Sequence, residues 1–349
     1  MWSWDKETAI YDTIFHIFYT ITGTFGILFN MFLLYCAIYR SPQSLKEYRI
    51  LIVKSAITDL IFIFSVAFVE PRMIASGSTY AYVVIGPAYY FGHNIAFIFY
   101  GFVLNMFFYM MLSFPLPFAY RYYVIVKPRD RRVQLLVASL GLYAVAFLQL
   151  IAFFFTQTDV VYVRQFLKDH LPEMNITGKV IYGSDMVRNP LTSVMVITCV
   201  VTSPPVYVMV LYYRWKVNKV LENKVATLSA ATISTHRKLM QAVTIHAALP
   251  VFFVFPPICV YLLQHIGVLN VLIIEYLVFA MASCIPVADA LVTIYCVKPY
   301  CVVIRKMLHM RTSQVNLDGF NAVGQDSKNR TAEASHSRTK IFFVRAKTH

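Results

Sequence analysis

Charged residues are scarce in this 349-residue chain, at 14% of the sequence, whereas hydrophobic residues make up 58%. A water-soluble protein of this length carries about a quarter charged residues. The low charge content therefore excludes a soluble domain and predicts an integral membrane protein. Acidic residues are scarcer than basic ones, with 17 Asp and Glu against 31 Lys and Arg, so the chain has an excess of positive charge. In a soluble protein this excess suggests a nucleic acid partner, but here the distribution of the basic residues explains it, and we expect no nucleic acid partner.

Residues for several chemistries are also missing. The six cysteines all lie in apolar segments or at their predicted cytoplasmic ends, so we expect no extracellular disulfide, and no C-x-x-C spacing predicts a metal site. No His-Glu-x-x-His helix or nucleophile–base pair occurs in an apolar segment, so we expect no enzyme and no cofactor. The last apolar segment has no lysine before Lys298, which argues against a retinal Schiff base.

Long apolar segments are the dominant feature of the sequence. A membrane core about 30 Å thick needs roughly 20 helical residues, and the sequence contains seven segments of at least this length. We predict an all-α membrane protein, a seven-transmembrane helix bundle. The predicted spans are Thr13–Tyr39, Ile50–Val69, Tyr89–Phe118, Val133–Phe155, Leu191–Tyr213, Gln241–Leu263 and Val271–Val297.

The basic residues gather in alternate connections of this serpentine chain. They cluster in Arg40–Arg49, Arg121–Arg132, Arg214–Lys238 and Lys298–Lys347. Because cytoplasmic loops carry the excess of Lys and Arg, the N-terminus is predicted to lie outside. We therefore expect an extracellular N-terminus over residues 1–12, a transmembrane domain over 13–310 and a disordered cytoplasmic tail over 311–349. The longest outside loop contains the sequon Asn175-Ile-Thr177, which predicts glycosylation of Asn175.

A short segment follows the last span. In Lys298–Leu308 the apolar residues share one helical face, which predicts a short amphipathic helix on the inner leaflet. Cys301 lies within it beside basic residues and is a candidate for palmitoylation.

Polar residues inside predicted spans are functional candidates, because they are costly in lipid. Asn30, Asp59 and Asp289 each lie roughly 14–15 Å above the inner face at helical rise. We expect them to face one another in one intramembrane polar layer. They either hold their helices together by hydrogen bonds or also switch between two packings. Lys54 lies close enough to the inner face to snorkel and is excluded from the layer.

Polar residues near the outer ends predict a ligand pocket. A small-molecule pocket needs apolar and aromatic walls with a few convergent polar groups. The alternative is that these residues, the histidine above all, are interfacial side chains that bind nothing. The candidates are His93, Asn94, Asn105, Thr192, Ser193 and Glu275.

A basic cluster at the inner end of span three predicts a coupling surface. Arg121 follows an apolar run that has no charge from Ile95 to Phe118. Alternatively, Arg121 is an interfacial anchor whose head group snorkels to the lipid phosphates. The prolines of spans five and six predict kinks, which would allow the inner halves of these spans to move. The coupling candidates are Tyr120, Arg121, Tyr122, Arg131, Arg132 and Lys238.

Taken together, the chain resembles the nematode serpentine receptor class delta family of seven-helix chemoreceptors. The resemblance rests on the order and spacing of stretches that span most of the chain. They are Val53-Lys-Ser-Ala-Ile-Thr-Asp59-Leu, Pro71-Arg-Met-Ile, Gly86-Pro-Ala-Tyr-Tyr-Phe-Gly92, Ser113-Phe with Tyr120-Arg-Tyr-Tyr-Val-Ile125, and Ile285-Pro-Val-Ala-Asp289 with Leu291-Val-Thr-Ile-Tyr-Cys-Val-Lys-Pro-Tyr300.

The resemblance implies a rhodopsin-like G-protein-coupled receptor that detects environmental small molecules in the ciliary membrane of chemosensory neurons. Its partners would be a small-molecule ligand, a heterotrimeric G protein and membrane lipid. Arg121 takes the place of the arginine in the Asp-Arg-Tyr motif, with Tyr120 where the acid would be. Ala88 stands where a cysteine is expected, and Ala290 follows Asp289 where relatives often carry proline.

The alternative function is an inverted seven-helix ligand-gated cation channel or a membrane carrier. The channel would place the N-terminus inside, against the distribution of basic loops. The sequence also shows no inverted pair of broken spans, which many carriers have.

Overall fold

The computed structural model describes residues 4–41, 46–76, 79–127, 130–157, 160–170, 177–223, 230–269 and 271–307. Within these ranges, seven helical segments are long and apolar enough to cross a membrane. The predicted seven-helix architecture is therefore confirmed. Spans one to seven are α1 (Trp4–Tyr39), α2 (Tyr48–Val69), α3 with α4 (His93–Ser113, Pro115–Val126), α5 (Arg132–Phe154), α7 (Pro190–Asn223), α8 with α9 (Ala230–Phe253, Phe255–His265) and α10 (Ile274–Cys296).

Four predicted span boundaries differ clearly from the observed ones. Span one begins at Trp4 instead of Thr13, and span six begins at Ala230 instead of Gln241. Span three continues past Phe118 to Val126, and span five continues past Tyr213 to Asn223. In each case the helix continues through polar residues that the apolar pattern does not include. Asn175 and residues 311–349 lie outside the ranges that the structure describes.

The apolar side chains divide between the bundle interior and the surrounding lipid. On α1, Ile14, Ile17 and Ile21 recur at helical spacing and are each about half exposed, whereas Tyr19 and Leu33 are fully buried. Exposed apolar stripes of this kind are stable only against lipid. Span seven is the most buried span: 61% of its apolar stretch lies inside the bundle, against 11% of the apolar stretch of span five.

Two spans are interrupted where proline removes a backbone donor. Span three breaks at Phe114, immediately before Pro115, and span six breaks at Val254, between Pro250 and Pro256. Span five, in contrast, remains one helix through Pro204 and Pro205. The interruption of span six agrees with the predicted kink, whereas that of span three was not predicted.

The loops at one end of the bundle form a small antiparallel sheet that the sequence reading did not predict. The strands are β1 (Pro71–Ser76), β2 (Thr79–Val84) and β3 (Ile181–Asp185), in the order β1-β2-β3. Pro71 pairs with Val84 in the hairpin, and Tyr82 pairs with Tyr182 across β2 and β3. Helix α6 (Val160–His170) covers the sheet through Val163 and Leu167, both buried. We call this end of the molecule the sheet end.

The opposite end carries the basic clusters, and we call it the basic end. The short helix predicted after span seven is confirmed as α11 (Lys298–Met307). Its Val303 and Ile304 pack against the core, and the hydroxyl groups of Tyr300 and Ser41 lie 2.6 Å apart. This contact ties α11 to the end of α1.

Candidate functional site

At the sheet end, Glu275 lies in a buried ion pair instead of standing free in a pocket. Arg72 of β1 is 1% exposed, and its Nε donates a hydrogen bond of 2.6 Å to Oε2 of Glu275, at the start of α10. The Arg72 guanidinium also lies 5.0 Å from the ring centre of Tyr276. The Tyr276 hydroxyl donates to Asp12 of α1 at 2.6 Å. The hairpin is therefore fastened to spans one and seven.

Aromatic side chains from the strands fill the space between the helices. Tyr82 of β2 lies 4.3 Å from Tyr100 of α3 and 5.5 Å from Tyr182 of β3, measured between ring centres. Tyr100 also contacts Phe279 of α10 edge-on at 5.6 Å. Burial raises the pKa of Tyr82 to about 12, so this phenol is neutral at physiological pH. The sheet end therefore has aromatic walls.

The remaining predicted pocket residues contact different neighbours. His93 packs edge-on against Tyr182 at 5.8 Å, and Thr192 is buried at the start of α7. Asn105 donates 2.6 Å to the Ala146 carbonyl of α5, so it joins spans three and four. Ser193 donates 2.9 Å to the Met186 carbonyl, and Asn94 is exposed. The structure does not bring these six residues into one pocket.

The strand β3 is tied to the loop that begins span five. Asp185 accepts hydrogen bonds from the Thr79 hydroxyl and from the backbone N–H groups of Val187 and Arg188, at 2.7–2.9 Å. Burial alone would raise the pKa of Asp185, but these hydrogen bonds lower it below its ordinary value. The ionised carboxylate therefore holds β2, β3 and the start of α7 together.

The residues of the predicted polar layer are buried within spans one, two and seven. Asn30, Asp59 and Asp289 are 0%, 1% and 6% exposed. Asn30 donates 3.0 Å to the Pro286 carbonyl of α10, which joins spans one and seven. Neither carboxyl oxygen of Asp59 has a hydrogen-bond partner among the described residues.

Other spans complete this layer with residues that the sequence reading missed. Nδ1 of His246 in span six lies 3.2 Å from Oδ1 of Asp289, and the Ser55 hydroxyl donates 3.1 Å to Oδ2. These residues line a cavity of about 70 Å³. Lys54, which we excluded as a snorkelling residue, lines the same cavity, as does Thr293. The sequence does contain a signal that could have identified His246, because it is a histidine inside an apolar span. The layer connects spans one, two, six and seven.

At the basic end, Arg121 is buried and held by aromatic rings. It is 4% exposed, and its guanidinium lies 3.9 Å from the ring centre of Tyr48 and 5.7 Å from that of Tyr120. Its Nε and Nη2 atoms have no hydrogen-bond partner in the described part of the chain. The Tyr120 hydroxyl interacts with the Glu47 carboxylate instead. Arg121 is therefore an interior residue and not a snorkelling anchor.

The other residues of the predicted coupling surface lie closer to solvent. Arg132 forms an exposed ion pair with Asp130. Hydrogen bonds from the Arg132 side chain and backbone lower the pKa of the Asp130 carboxyl group to about 2. The Arg131 guanidinium lies 5.1 Å from the Tyr123 ring, and Tyr122 packs against Tyr213 of α7. Lys238 is exposed at the same end, and Cys301 is a half-buried free thiol on α11. The predicted coupling residues thus lie at the basic end, on or beside spans three, four and six.

Comparisons with known proteins agree with this architecture. The sequence model of the family described as "Serpentine type 7TM GPCR chemoreceptor Srd" matches residues 15–306. Serpentine receptor class delta-1 of Caenorhabditis elegans is 28% identical over 82% of this chain and 78% of its own length. Serpentine receptor class delta-33 of the same organism is 27% identical over 87% of this chain and 89% of its own.

A solved structure with the same fold is squid rhodopsin. It superposes with a TM-score of 0.68 over 90% of this chain and 91% of its own, at 12% sequence identity. A likeness at this identity establishes the rhodopsin-like seven-helix fold and nothing about ligand. The family match covers most of the chain and all seven spans. The chain is thus a multi-pass membrane protein that belongs to the Srd family of serpentine seven-transmembrane chemoreceptors.

Proposed function

We propose that this chemosensory receptor detects an environmental small molecule at the sheet end and activates a heterotrimeric G protein at the basic end. The observation that carries the proposal is Arg121. Its guanidinium is buried at the end of span three, lies on the Tyr48 ring and retains unpartnered donors. Burying a charged group with unused donors is costly. This arrangement suits a residue whose partner arrives when the basic end opens.

The ligand is a small molecule that hydrogen-bonds at the sheet end. Buried polar groups normally have partners, but within the described ranges the Tyr182 hydroxyl, the Thr192 hydroxyl and Nη1 of Arg72 have none. The Tyr182 hydroxyl belongs to the aromatic walls formed with Tyr82 and Tyr100, and Arg72 lies over the Tyr276 ring. Of the predicted pocket residues, His93 contacts Tyr182 and Glu275 contacts Arg72, so these two and the buried Thr192 remain the candidates.

The intramembrane polar layer transmits the signal between the two ends. A ligand shifts a receptor only by binding one packing better than the other. Asp289 of span seven contacts His246 of span six and Ser55 of span two, so a small rotation of span six must break or remake these contacts. The interruption at Val254 lies above His246 in the same span and supplies the point of bending.

The sheet end faces outward and the basic end faces the cytoplasm of a ciliary plasma membrane. The concentration of Lys and Arg at the basic end supports this orientation. Asn175, in the loop that precedes β3, would then carry a glycan, and Cys301 a palmitoyl group. An orientation assay in intact cells tests this first. We expect glycosylation at Asn175 and a tag after His349 that is inaccessible from outside, whereas an exposed tag would refute the orientation.

The coupling role is tested by Arg121→Gln with Arg40→Gln as the matched control. Both variants remove one arginine from the basic end, but Arg40 is exposed at the end of α1, donates only a long hydrogen bond of 3.4 Å to the Tyr35 hydroxyl, and is not a coupling candidate. We expect Arg121→Gln to lower G-protein activation at least tenfold with surface expression retained, and Arg40→Gln to signal within about twofold of wild type. Equal signalling by both variants would overturn the coupling role. Ion currents without G-protein activation would support the channel alternative.

A further inference from the structure

A groove on the side of the bundle is not used by the function proposed above. It has a volume of about 490 Å³ and is lined by residues of spans one to four. Its apolar rim faces the surrounding bilayer, since Leu140 and Leu136 of α5 are 66% and 47% exposed and Ile38 of α1 is 47% exposed. A lipid chain can therefore enter the groove from the side.

A cation without a counter-ion lines this apolar groove. Arg49 of α2 contributes to its wall, and no carboxylate oxygen of the described residues lies within 4.0 Å of the Arg49 guanidinium. Lys54 also reaches this wall, but it interacts with the carboxylates of Asp59 and Asp289 in the polar layer. An unpaired cation beside lipid is costly, so the groove suits an anionic partner.

The position of Arg49 matches the head-group region of one leaflet. α2 begins at Tyr48 at the basic end, so Arg49 lies in its first turn. A phosphate can thus contact Arg49 while the acyl chains of the lipid extend along the apolar wall.

A neutral polar group also lines the groove. The Ser139 hydroxyl is buried and has no hydrogen-bond partner in the described part of the chain. The neighbouring Tyr109 hydroxyl donates 3.3 Å to the Ser139 carbonyl and is therefore already used. The free serine hydroxyl is a donor for an ester carbonyl of the lipid.

We infer that this groove binds one anionic phospholipid of the surrounding leaflet. Its phosphate contacts Arg49, an ester carbonyl accepts from Ser139, and an acyl chain packs along Leu136 and Leu140. The charge of Arg49 selects the head group, and the apolar wall selects a membrane lipid over a soluble anion.

Lipid retention by the full-length receptor tests this site. The receptor is purified in detergent, incubated with phosphatidylserine and phosphatidylcholine of identical acyl chains, and examined by native mass spectrometry. We expect the wild type to retain one phosphatidylserine at least fivefold more strongly than phosphatidylcholine. Arg49→Gln should lower this preference about fivefold, because a basic residue near the membrane surface contributes about that factor.

Two further variants separate the groove from general surface charge. Lys219→Met is the control, since it likewise removes one cation, and Lys219, which lies 5.0 Å from the ring centre of Trp215, is not among the groove residues. It should leave the preference unchanged. Leu140→Trp fills the groove at an exposed position without altering charge and should lower phosphatidylserine retention. Equal retention of the two lipids by the wild type, retention of a sterol instead, or equal losses for Arg49→Gln and Lys219→Met would overturn the proposal.

Discussion

The buried ion pair between Arg72 and Glu275 gives the sharpest stability prediction. The two side chains are 1% and 7% exposed, and Nη2 of Arg72 lies 2.6 Å from Oε2 of Glu275. At this distance and an effective dielectric constant of about 20, the Coulomb attraction is about 6 kcal/mol. Desolvation of both charges offsets most of it. The pair therefore contributes little net stability, although breaking it is costly.

Arg72→Met leaves the Glu275 carboxylate buried without its cation. Removing one partner of a buried pair lowers the free energy of unfolding by about 3–5 kcal/mol. We expect this loss for Arg72→Met, and a similar loss for Glu275→Leu. The double variant replaces both charges by apolar groups, so it should lie within about 2 kcal/mol of the wild type. The remaining loss reflects the contact between Arg72 and the Tyr276 ring.

The assay is reversible unfolding of the purified receptor in mixed micelles, followed by circular dichroism. Lys179→Met is the control, because Lys179 forms a pair of 3.7 Å with Asp12 whose side chains are 29% and 27% exposed. It should cost less than about 1 kcal/mol. If the double variant loses the sum of the two single losses, the pair is not a coupled buried unit and the reasoning is wrong.

Three further predictions concern other contacts. Burial raises the pKa of Glu70 from 4.5 to about 7, so the folded receptor keeps a proton that the unfolded chain releases. The free energy of unfolding should therefore fall by up to about 3 kcal/mol as pH rises through this window. In unfolding experiments at pH 4.5–8, Glu70→Gln should abolish this fall. A Cβ on Gly26 would lie 2.8 Å from Cγ1 of Ile63, so Gly26→Ala should cost about 1–3 kcal/mol and Ile63→Ala should partly rescue it in the double variant. Since Arg121 lies on the Tyr48 ring, Tyr48→Leu should raise ligand-independent G-protein activation several-fold and Tyr48→Phe should not; equal activity of the two variants would refute the role of the ring.

The spans were predictable because each membrane crossing leaves a local signal. An apolar run of sufficient length identifies a span without reference to the rest of the chain. The same argument identified Asn30, Asp59 and Asp289, because a polar residue in such a run is visible in one dimension. Their burial and their proximity follow from equal depth in neighbouring helices.

The sheet and several partners were not predictable in this way. Strands β1 to β3 are five or six residues long and lie in loops whose patterns are too short to identify a strand. Arg72 looked like an ordinary loop residue, and only the fold places it against Glu275. The prediction that Asn105 faces a ligand used depth alone, and depth does not specify which neighbour a side chain meets.

The pairing of β2 with β3 has a consequence for the chemistry of the sheet end. Here the loop before span three is joined to the loop before span five by backbone hydrogen bonds over five residue pairs. All six cysteines of the chain are free thiols. The connection between these loops therefore forms without oxidation of a thiol. Reducing agents should leave it intact, and the receptor should assemble its sheet end in any redox environment through which the chain passes.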